Sequence, residues 1–249
     1  MTTARFEEVV DEYDAARPDY PSDVYDSIGA ALGAWSGKRV VEVGAGTGIA
    51  TRQMVTRGAR VLAVELGEQM LRRLVARTPD AHGVQGRGES LPVRDDSADL
   101  VCAAQAWHWV DPELGAGEAA RALRAGGIFA AWWNNDRVPG NPWCEAQDAR
   151  LDKHNPTWRE ARRPTGPSWL EALRTRGFIV DDEPRLFSWR RDIDIDRYVR
   201  WLASKSYVAH ANDRDGFLAA ERAHLLEHFP DGVVVEHFVT GLWLGPLTS

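Results

Sequence analysis

The sequence predicts an α/β protein built on a doubly wound, mostly parallel sheet. Three observations carry that prediction. Apolar strand-like runs alternate with helical stretches from Arg39 to Asn134, the order that builds a parallel sheet with helices on both faces. The run Val40-Val41-Glu42-Val43 is apolar on both faces, as a central parallel strand is, and stops at Gly44-Ala45-Gly46-Thr47-Gly48. A second run, Val61-Leu62-Ala63-Val64, ends in the carboxylate of Glu65.

The glycine register narrows the ligand. Glycines at 44, 46 and 48 let the backbone turn sharply and let a ligand approach with no Cβ in the way. Ligands of open α/β sheets sit at the carboxyl ends of the strands, where this loop falls. A dinucleotide fingerprint needs glycine at the sixth position, which is Ile49 here. A P-loop needs Gly-Lys-Ser/Thr, and Gly48 is followed by Ile49-Ala50. The register therefore fits a nucleoside without a phosphate chain, and an NAD-dependent oxidoreductase is the weaker alternative.

An acidic residue followed by G-x-G-x-G resembles motif I of the class I S-adenosylmethionine-dependent methyltransferases, and the next segments keep that order. Glu65 sits where a second-strand carboxylate accepts from both ribose hydroxyls. Leu66 and Met70, four apart, are expected to share a face against the adenine. Gly86-Arg87-Gly88-Glu89-Ser90-Leu91-Pro92 resembles the family's loop after the third strand, with Arg87 where Asp is frequent. There Gly88 would offer its N–H and Glu89 would accept from the adenine amino group. Ala98 to Ala104 reads as the fourth strand, and Gln105-Ala106-Trp107-His108-Trp109 follows it. That segment, with Tyr13-Asp14-Ala15-Ala16-Arg17-Pro18 near the start, resembles a small-molecule subgroup that includes the trans-aconitate methyltransferase-like proteins. Gly126 to Asn134 resembles the family's fifth-strand turn and strand.

The resemblance implies a Rossmann-like, doubly wound, mostly parallel seven-stranded sheet with an antiparallel strand pair at the C-terminal edge and a helical cover. It also implies S-adenosyl-L-methionine as cofactor, held by Tyr13, Arg17, Glu42, Gly44, Ala45, Gly46, Gly48, Glu65, Leu66, Met70, Gly88, Glu89, Ser90, Gln105 and Ala106. Tyr13 and Arg17 would reach the methionine carboxylate. Glu42 would either accept from the methionine ammonium or satisfy the loop backbone. His108, with an ordinary pKa near ~6.5, is the candidate general base, the alternative being a packed histidine between Trp107 and Trp109. Tyr20, Trp107, Trp109, Trp133, Asn134 and Trp201 are the expected acceptor contacts. The implied activity is methyl transfer to a small metabolite, with O-methylation ahead of C- or N-methylation. A non-catalytic S-adenosyl-ligand-binding protein on the same fold is the alternative.

Composition excludes several other classes. A net charge of −7 argues against nucleic acid, whose binding rests on lysine and arginine patches. No apolar run approaches the ~18 residues of a membrane span, and Met1 to Asp14 has no signal-peptide pattern. Two cysteines, Cys102 and Cys144, supply no disulfide framework or metal cluster, and His224-x-x-x-His228 reads as a helix surface. The expectation is a cytoplasmic protein with a small-molecule substrate, no metal, no nucleic-acid or membrane partner, and an oligomeric state the sequence leaves open.

Residues 1–249 read as a single domain: a cover segment over 1–36, a cofactor-binding half over 37–137, and a lid, insertion and terminal antiparallel strands over 138–249. Proline and tryptophan interrupt the pattern from Val138 to Pro167, with a helix expected near Glu145 to Lys153. Trp169 to Arg176 reads as a helix ending at Gly177. Phe178 to Val180 and Arg185 to Trp189 read as one strand broken at Pro184. Helices are expected from Ile195 to Ala203 and Asp215 to Phe229, and the last strand from Val233 to Thr240.

Overall fold

The computed structural model describes residues 17–136, 142–159 and 168–248. Seven strands form one sheet: β1 (Arg39–Val43), β2 (Arg60–Glu65), β3 (His82–Gln85), β4 (Ala98–Ala104), β5 (Leu123–Asn135), β6 (Arg185–Asp194) and β7 (Val233–Pro246). Their spatial order is β3-β2-β1-β4-β5-β7-β6. The first five are parallel, and β7 runs antiparallel to both β5 and β6. The fold is thus the Rossmann-like sheet the sequence predicts, with its reversed strand near the C-terminal edge.

The central strands are apolar on both faces because both faces are covered. Val40, Leu100, Cys102, Ala130 and Trp132 pack beneath α1 (Ser22–Leu32) and α2 (Ile49–Thr56). α3 (Glu68–Arg77) lies on the same side, its Leu74 against Ala63. On the opposite face Val41, Val43, Val101, Phe129 and Ala131 pack beneath α4 (Pro112–Ala122) and α6 (Ser168–Thr175). The start of α4 has a local cause. At α4 the Asp111 side chain accepts from the N–H groups of Glu113 and Leu114 at 3.1 and 3.0 Å, with Pro112 in the first turn, a pairing of cap and proline that satisfies otherwise orphaned donors.

A separate core lies beyond the carboxyl end of β5. There β6 and the first half of β7 continue as a two-stranded ribbon, pairing from Ser188↔Val239 to Asp194↔Val233. One face of the ribbon, Val234 and Phe238, packs against α5 (Pro142–His154), α7 (Ile195–Ala203) and α9 (Arg214–His228) through Leu151, Tyr198, Trp201, Leu202, Phe217 and Leu225. The short α8 (Ser206–Ala209) completes this cover. Inside it the buried Glu221 accepts from Gln147 at 2.8 Å and from Arg150 at 2.6 Å, and Gln147 also reaches the Tyr198 hydroxyl at 2.8 Å. Glu221 thus ties α9 to α5, and Gln147 carries the network on to α7.

Phe178 to Val180 departs from expectation. It is not part of β6: Phe178 makes an isolated bridge to Leu247, and the Ile179 N–H donates to the Pro246 carbonyl at 3.0 Å. Pro184 lacks an amide to carry the ladder across, so β6 starts afresh at Arg185. The last strand also runs six residues past Thr240, to Pro246.

Asp111→Ala removes both cap hydrogen bonds of α4. It should cost about 0.5–2 kcal/mol of stability, read from urea denaturation, with the slope on denaturant unchanged.

Candidate active site

The chain winds outward in opposite directions from β1 and β4, which are neighbours in the sheet. The crevice between their carboxyl ends is the switch point where open α/β sheets bind ligands. Gly44, Gly46 and Gly48 all adopt left-handed backbone, with φ of 67°, 57° and 84°. Only two of them are packed tightly. A Cβ on Gly44 would lie 2.5 Å from the Ala106 Cβ, and one on Gly48 2.8 Å from Leu74 Cγ. A Cβ on Gly46 would meet nothing within 4 Å. The loop therefore presents bare backbone to open space at its middle glycine.

Glu65 holds that loop in place. Its Oε2 accepts from the Gly46 N–H at 2.8 Å and its Oε1 from the Gly67 N–H at 2.8 Å. The N–H groups of Gly44 and Ala45 both donate to the Val64 carbonyl, at 2.8 and 3.2 Å. A carboxylate offers about four acceptor positions, so one lone pair on each Glu65 oxygen is left for further donors. Glu42 is buried and accepts from the Thr51 hydroxyl at 2.5 Å. The Thr51 hydroxyl is a partner the sequence reading did not name. Thr51 lies three residues beyond Gly48, one turn into α2, facing the strand. Burial pushes the Glu42 carboxyl up to about 8, opposed by the Thr51 hydrogen bond and reinforced by the charge of Glu65. Thr47, within the loop, has its hydroxyl buried with no hydrogen-bond partner among the described residues.

The next loop also meets the crevice. A Cβ on Gly88 would come 2.8 Å from Val43 and 2.9 Å from Val110. The Ser90 N–H donates to the Arg87 carbonyl at 3.2 Å. Glu89 accepts from the Asp111 N–H at 3.0 Å, so it braces the start of α4. The face expected of Leu66 and Met70 does not form. α3 begins at Glu68, which leaves Leu66 in the preceding turn, 49% exposed, while Met70 is buried.

At the end of β4, Gln105 has φ of 60°, a strained conformation for a residue with a side chain. Its N–H donates to the Trp132 carbonyl at 2.9 Å and its side-chain amide to the Asn134 carbonyl at 3.2 Å. Ala106 then fills the space against Gly44. Trp107, His108 and Trp109 form a single 3₁₀ turn, and that turn sends them to different places. Trp107 is 1% exposed and packs edge-on to Phe129 at 4.7 Å, beneath α4; it is core and not an acceptor contact. Trp109 is 38% exposed beside the half-buried His108. Trp133 is buried, and its indole N–H donates to His108 Nδ1 at 3.0 Å.

That hydrogen bond bears on the base role expected of His108. An indole N–H can only donate, so Nδ1 is the acceptor and the neutral ring carries its proton on Nε2. A ring fixed this way presents a donor from Nε2, whereas a base needs a lone pair there.

The remaining acceptor contacts are rearranged too. Both ends of the Asn134 side chain are engaged: Nδ2 donates to the Asp19 carbonyl at 3.0 Å, and Oδ1 accepts from the Thr240 hydroxyl at 2.6 Å. Tyr20 stands edge-on to Trp132 at 5.8 Å. Trp201 is buried in the cover core, with the Lys205 ammonium 3.9 Å above its ring; it does not line a roof. Arg17 is half-buried at the start of the described chain, and Tyr13 lies outside the described residues. On the cover, His224, Glu227 and His228 bring one ligand atom each within 4.8 Å of one another at the exposed end of α9. No helix among the described residues is long and apolar enough to cross a membrane.

The same region is recognised by comparison with known proteins. Residues 41–131 match the model of a methyltransferase domain. An uncharacterized methyltransferase of Mycobacterium tuberculosis is 41% identical over 129 residues, 52% of this chain and 51% of the relative; the chain thus matches about half of that relative's length. A malonyl-[acyl-carrier protein] O-methyltransferase of Methylococcus capsulatus is 37% identical over 98 residues, 37% of this chain and 36% of its own. Among solved structures, a candidate type II methyltransferase from Anaeromyxobacter dehalogenans superposes with a TM-score of 0.70 at 24% identity, over 94% of this chain and 99% of its own. The [4+2]-cyclase SpnF does so at 0.53 and 17%, over 94% and 84%. Geranyl diphosphate C-methyltransferase from Streptomyces coelicolor A3(2), solved with S-adenosyl-L-homocysteine, does so at 0.51 and 16%, over 90% and 75%.

The two raised carboxyls set the pH dependence. Burial lifts Glu42 from 4.5 to about 8 and Glu236 from 4.5 to about 7. Each is protonated in the folded chain where it is ionised in the unfolded one, so stability falls as pH rises across each window. Between pH 7 and 8 Glu42 carries most of the titration that remains in the two. Glu42→Gln should flatten the fall in urea-derived stability there, a slope of at most about 1.4 kcal/mol per pH unit, and keep the fall below pH 7. An unchanged slope above pH 7 would contradict a protonated Glu42.

Proposed function

We propose that this chain, a member of the class I methyltransferases, moves a methyl group from S-adenosylmethionine to a small-molecule acceptor, with O-methylation of a carboxylate-bearing metabolite ahead of N- or C-methylation. One observation carries the reading: the glycine loop at the β1–β4 switch point, stapled by Glu65 and open at Gly46. The residues fit the cofactor. Bare backbone at Gly46 accommodates the nucleoside, the remaining lone pairs of Glu65 suit two vicinal hydroxyls, and the Thr47 hydroxyl is a buried donor in the loop.

S-adenosylmethionine supplies an activated methyl on a sulfonium centre, and the protein's part is positioning. Gln105 and Ala106 set the end of β4 against the glycine loop. His108, its ring fixed by Trp133, presents a donor that orients an acceptor oxygen. A carboxylate is already ionised at neutral pH and needs no base, which agrees with a histidine whose Nδ1 is taken. The N-terminal lead-in and the insertion cover the acceptor. The single-domain reading of residues 1–249 belongs to this proposal: the ribbon of β6 and β7 continues the sheet into the cover, so floor and cover share a strand.

A second reading has its own support. A [4+2]-cyclase shares this fold, and fold alone does not oblige methyl transfer. Incubation with S-adenosylmethionine and a panel of carboxylate, phenol and amine acceptors, read by a mass gain of one methyl, separates the two. The NAD alternative is disfavoured by Ile49.

S-adenosylhomocysteine should bind by calorimetry and raise the thermal midpoint, while NAD does neither. Glu65→Ala should weaken that binding by at least about 1.5–3 kcal/mol, the range for a hydrogen bond to a charged group, because it removes both the acceptor and the staple on Gly46. Unchanged affinity in this variant would remove Glu65 from the site.

His108→Ala should lower turnover roughly 10- to 100-fold with cofactor affinity unchanged. His108→Gln, which keeps an N–H donor, should recover part of the loss. The wild-type pH–rate profile should lack a rising limb near ~6.5. A rising limb there, abolished in both variants, would restore the base.

A further inference from the structure

Two side chains of α4 reach past their own helix to the backbone of a loop. Arg121, on the last turn of α4, faces the segment that leaves the Gly88–Ser90 loop and leads into β4. The five N–H donors of a guanidinium all find acceptors there. Nε donates to Glu118 Oε1 and Nη2 to Glu118 Oε2, both at 2.8 Å. Nη2 also donates to the Leu91 carbonyl at 3.0 Å, and Nη1 to the Val93 carbonyl at 2.8 Å and Asp95 Oδ1 at 2.7 Å. Glu118 Oε2 in turn accepts from the Leu91 N–H at 2.6 Å. The pair therefore closes on both backbone polar groups of Leu91. Asp95 is 72% exposed, so its ion pair is worth little, and the backbone contacts carry the geometry.

Other contacts fix the rest of the loop. The Gly86 N–H donates to the Glu65 carbonyl at 3.1 Å, at the end of β2. Glu89 accepts from the Asp111 N–H, and the Leu91 side chain is buried in the main core. Further on, the Asp96 and Ser97 N–H groups donate to the Arg121 and Ala122 carbonyls at 3.0 and 2.9 Å. With those anchors present, loss of the Arg121 fork would shift the Gly88–Leu91 turn and not release it. What the fork decides is where the polar groups of that turn stand relative to the crevice.

We propose that Arg121 is a positioning residue, oriented by Glu118, that sets the Gly88–Leu91 turn at the height where its polar groups meet a purine edge, and so tells a 6-amino from a 6-oxo base. The inference rests on the methyltransferase reading, which puts the nucleoside in this crevice. Lysine is a point charge with three rotatable donors, so Arg121→Lys keeps the charge and loses the fork. Glu118→Gln sets an amide donor against either Arg121 or the Leu91 N–H. Asp95→Ala takes only the exposed partner and keeps the bonds to Leu91 and Val93.

Calorimetry on the full chain compares S-adenosylhomocysteine with its deaminated analogue S-inosylhomocysteine, whose base carries a 6-oxo group and an N1–H. The wild type should prefer the adenosyl compound. In Arg121→Lys and Glu118→Gln that preference should shrink roughly tenfold, about the discrimination carried by one hydrogen bond, and in Asp95→Ala it should persist. Hydrogen exchange on the ligand-free chain should show the Leu91 amide accelerating in the first two variants, with the amides of β1 and β4 unchanged. Should Arg121→Lys fail to fold, Glu118→Gln decides by itself. An undiminished preference overturns the inference and leaves the methyltransferase reading standing, and so does a wild type that binds both compounds equally. Loosening of β1 and β4 equal to that of Leu91 also overturns it, because the loss would then be one of stability. A wild type that binds neither compound overturns the methyltransferase reading and this inference with it.

Discussion

The crevice at the end of β1 depends on one carboxylate meeting two backbone amides. Glu65 reaches from the end of β2 to Gly46 on one side and Gly67 on the other. Three left-handed glycines at alternate positions are an entropically costly arrangement, and an untied loop of that kind would sample many shapes. Charge-assisted hydrogen bonds to N–H groups are among the stronger ones available, and these two fix the loop before any ligand arrives. The ligand then meets donors and acceptors already in place, which lowers the ordering cost of binding. Gly44 and Gly48 serve the same end from below, since the close contacts with Ala106 and Leu74 leave no room for a side chain.

Strand periodicity made the parallel half legible because its cause is local. A strand buried on both faces must be apolar at every position, and Val40 to Val43, Val61 to Val64 and Ala98 to Ala104 are nearly so. The helix that Asp111-Pro112 caps went unread, although its cause is equally local. The site was legible as far as backbone geometry decides it: the glycines, the acid ending β2, and the crowded end of β4. The tryptophans were not. In Trp107-His108-Trp109 the residues are adjacent, and a 3₁₀ turn assigns one to the core and one to solvent. Nothing in the letters distinguishes them. The fate of Trp201 depends on Lys205 and Asp136, and Asp136 is far away in sequence. The role of His108 depends on Trp133, whose indole fixes the proton on the ring.

Side chains from distant segments also explain the polar groups that sequence reading left unassigned. Glu221 is apolar-flanked on α9 and would be anomalous in isolation. It is matched by Gln147 and Arg150 from α5. Glu236 faces Arg191 across the ribbon at 2.6 Å, and burial still leaves its carboxyl raised to about 7. Such pairs resist being read from a single chain segment, because each half looks like an error until the other is in place.

The shared strand has a mechanical consequence. β7 enters the cover core with Val234 and Phe238 and the main core with Leu242, and between them Thr240 and Gly241 carry the hydrogen bonds to Asn134 and Trp133. The cover is therefore a cantilever: a helical load borne on a two-stranded beam, rooted in the sheet and pinned beside that root by the Lys205–Asp136 ion pair. Strain applied at the far helices arrives at the beam's root, which is the residue pair flanking His108 and the strained Gln105. A change of shape far out on α9 would be felt at the carboxyl ends of β4 and β5 as a small rotation of that root, without any contact between the two.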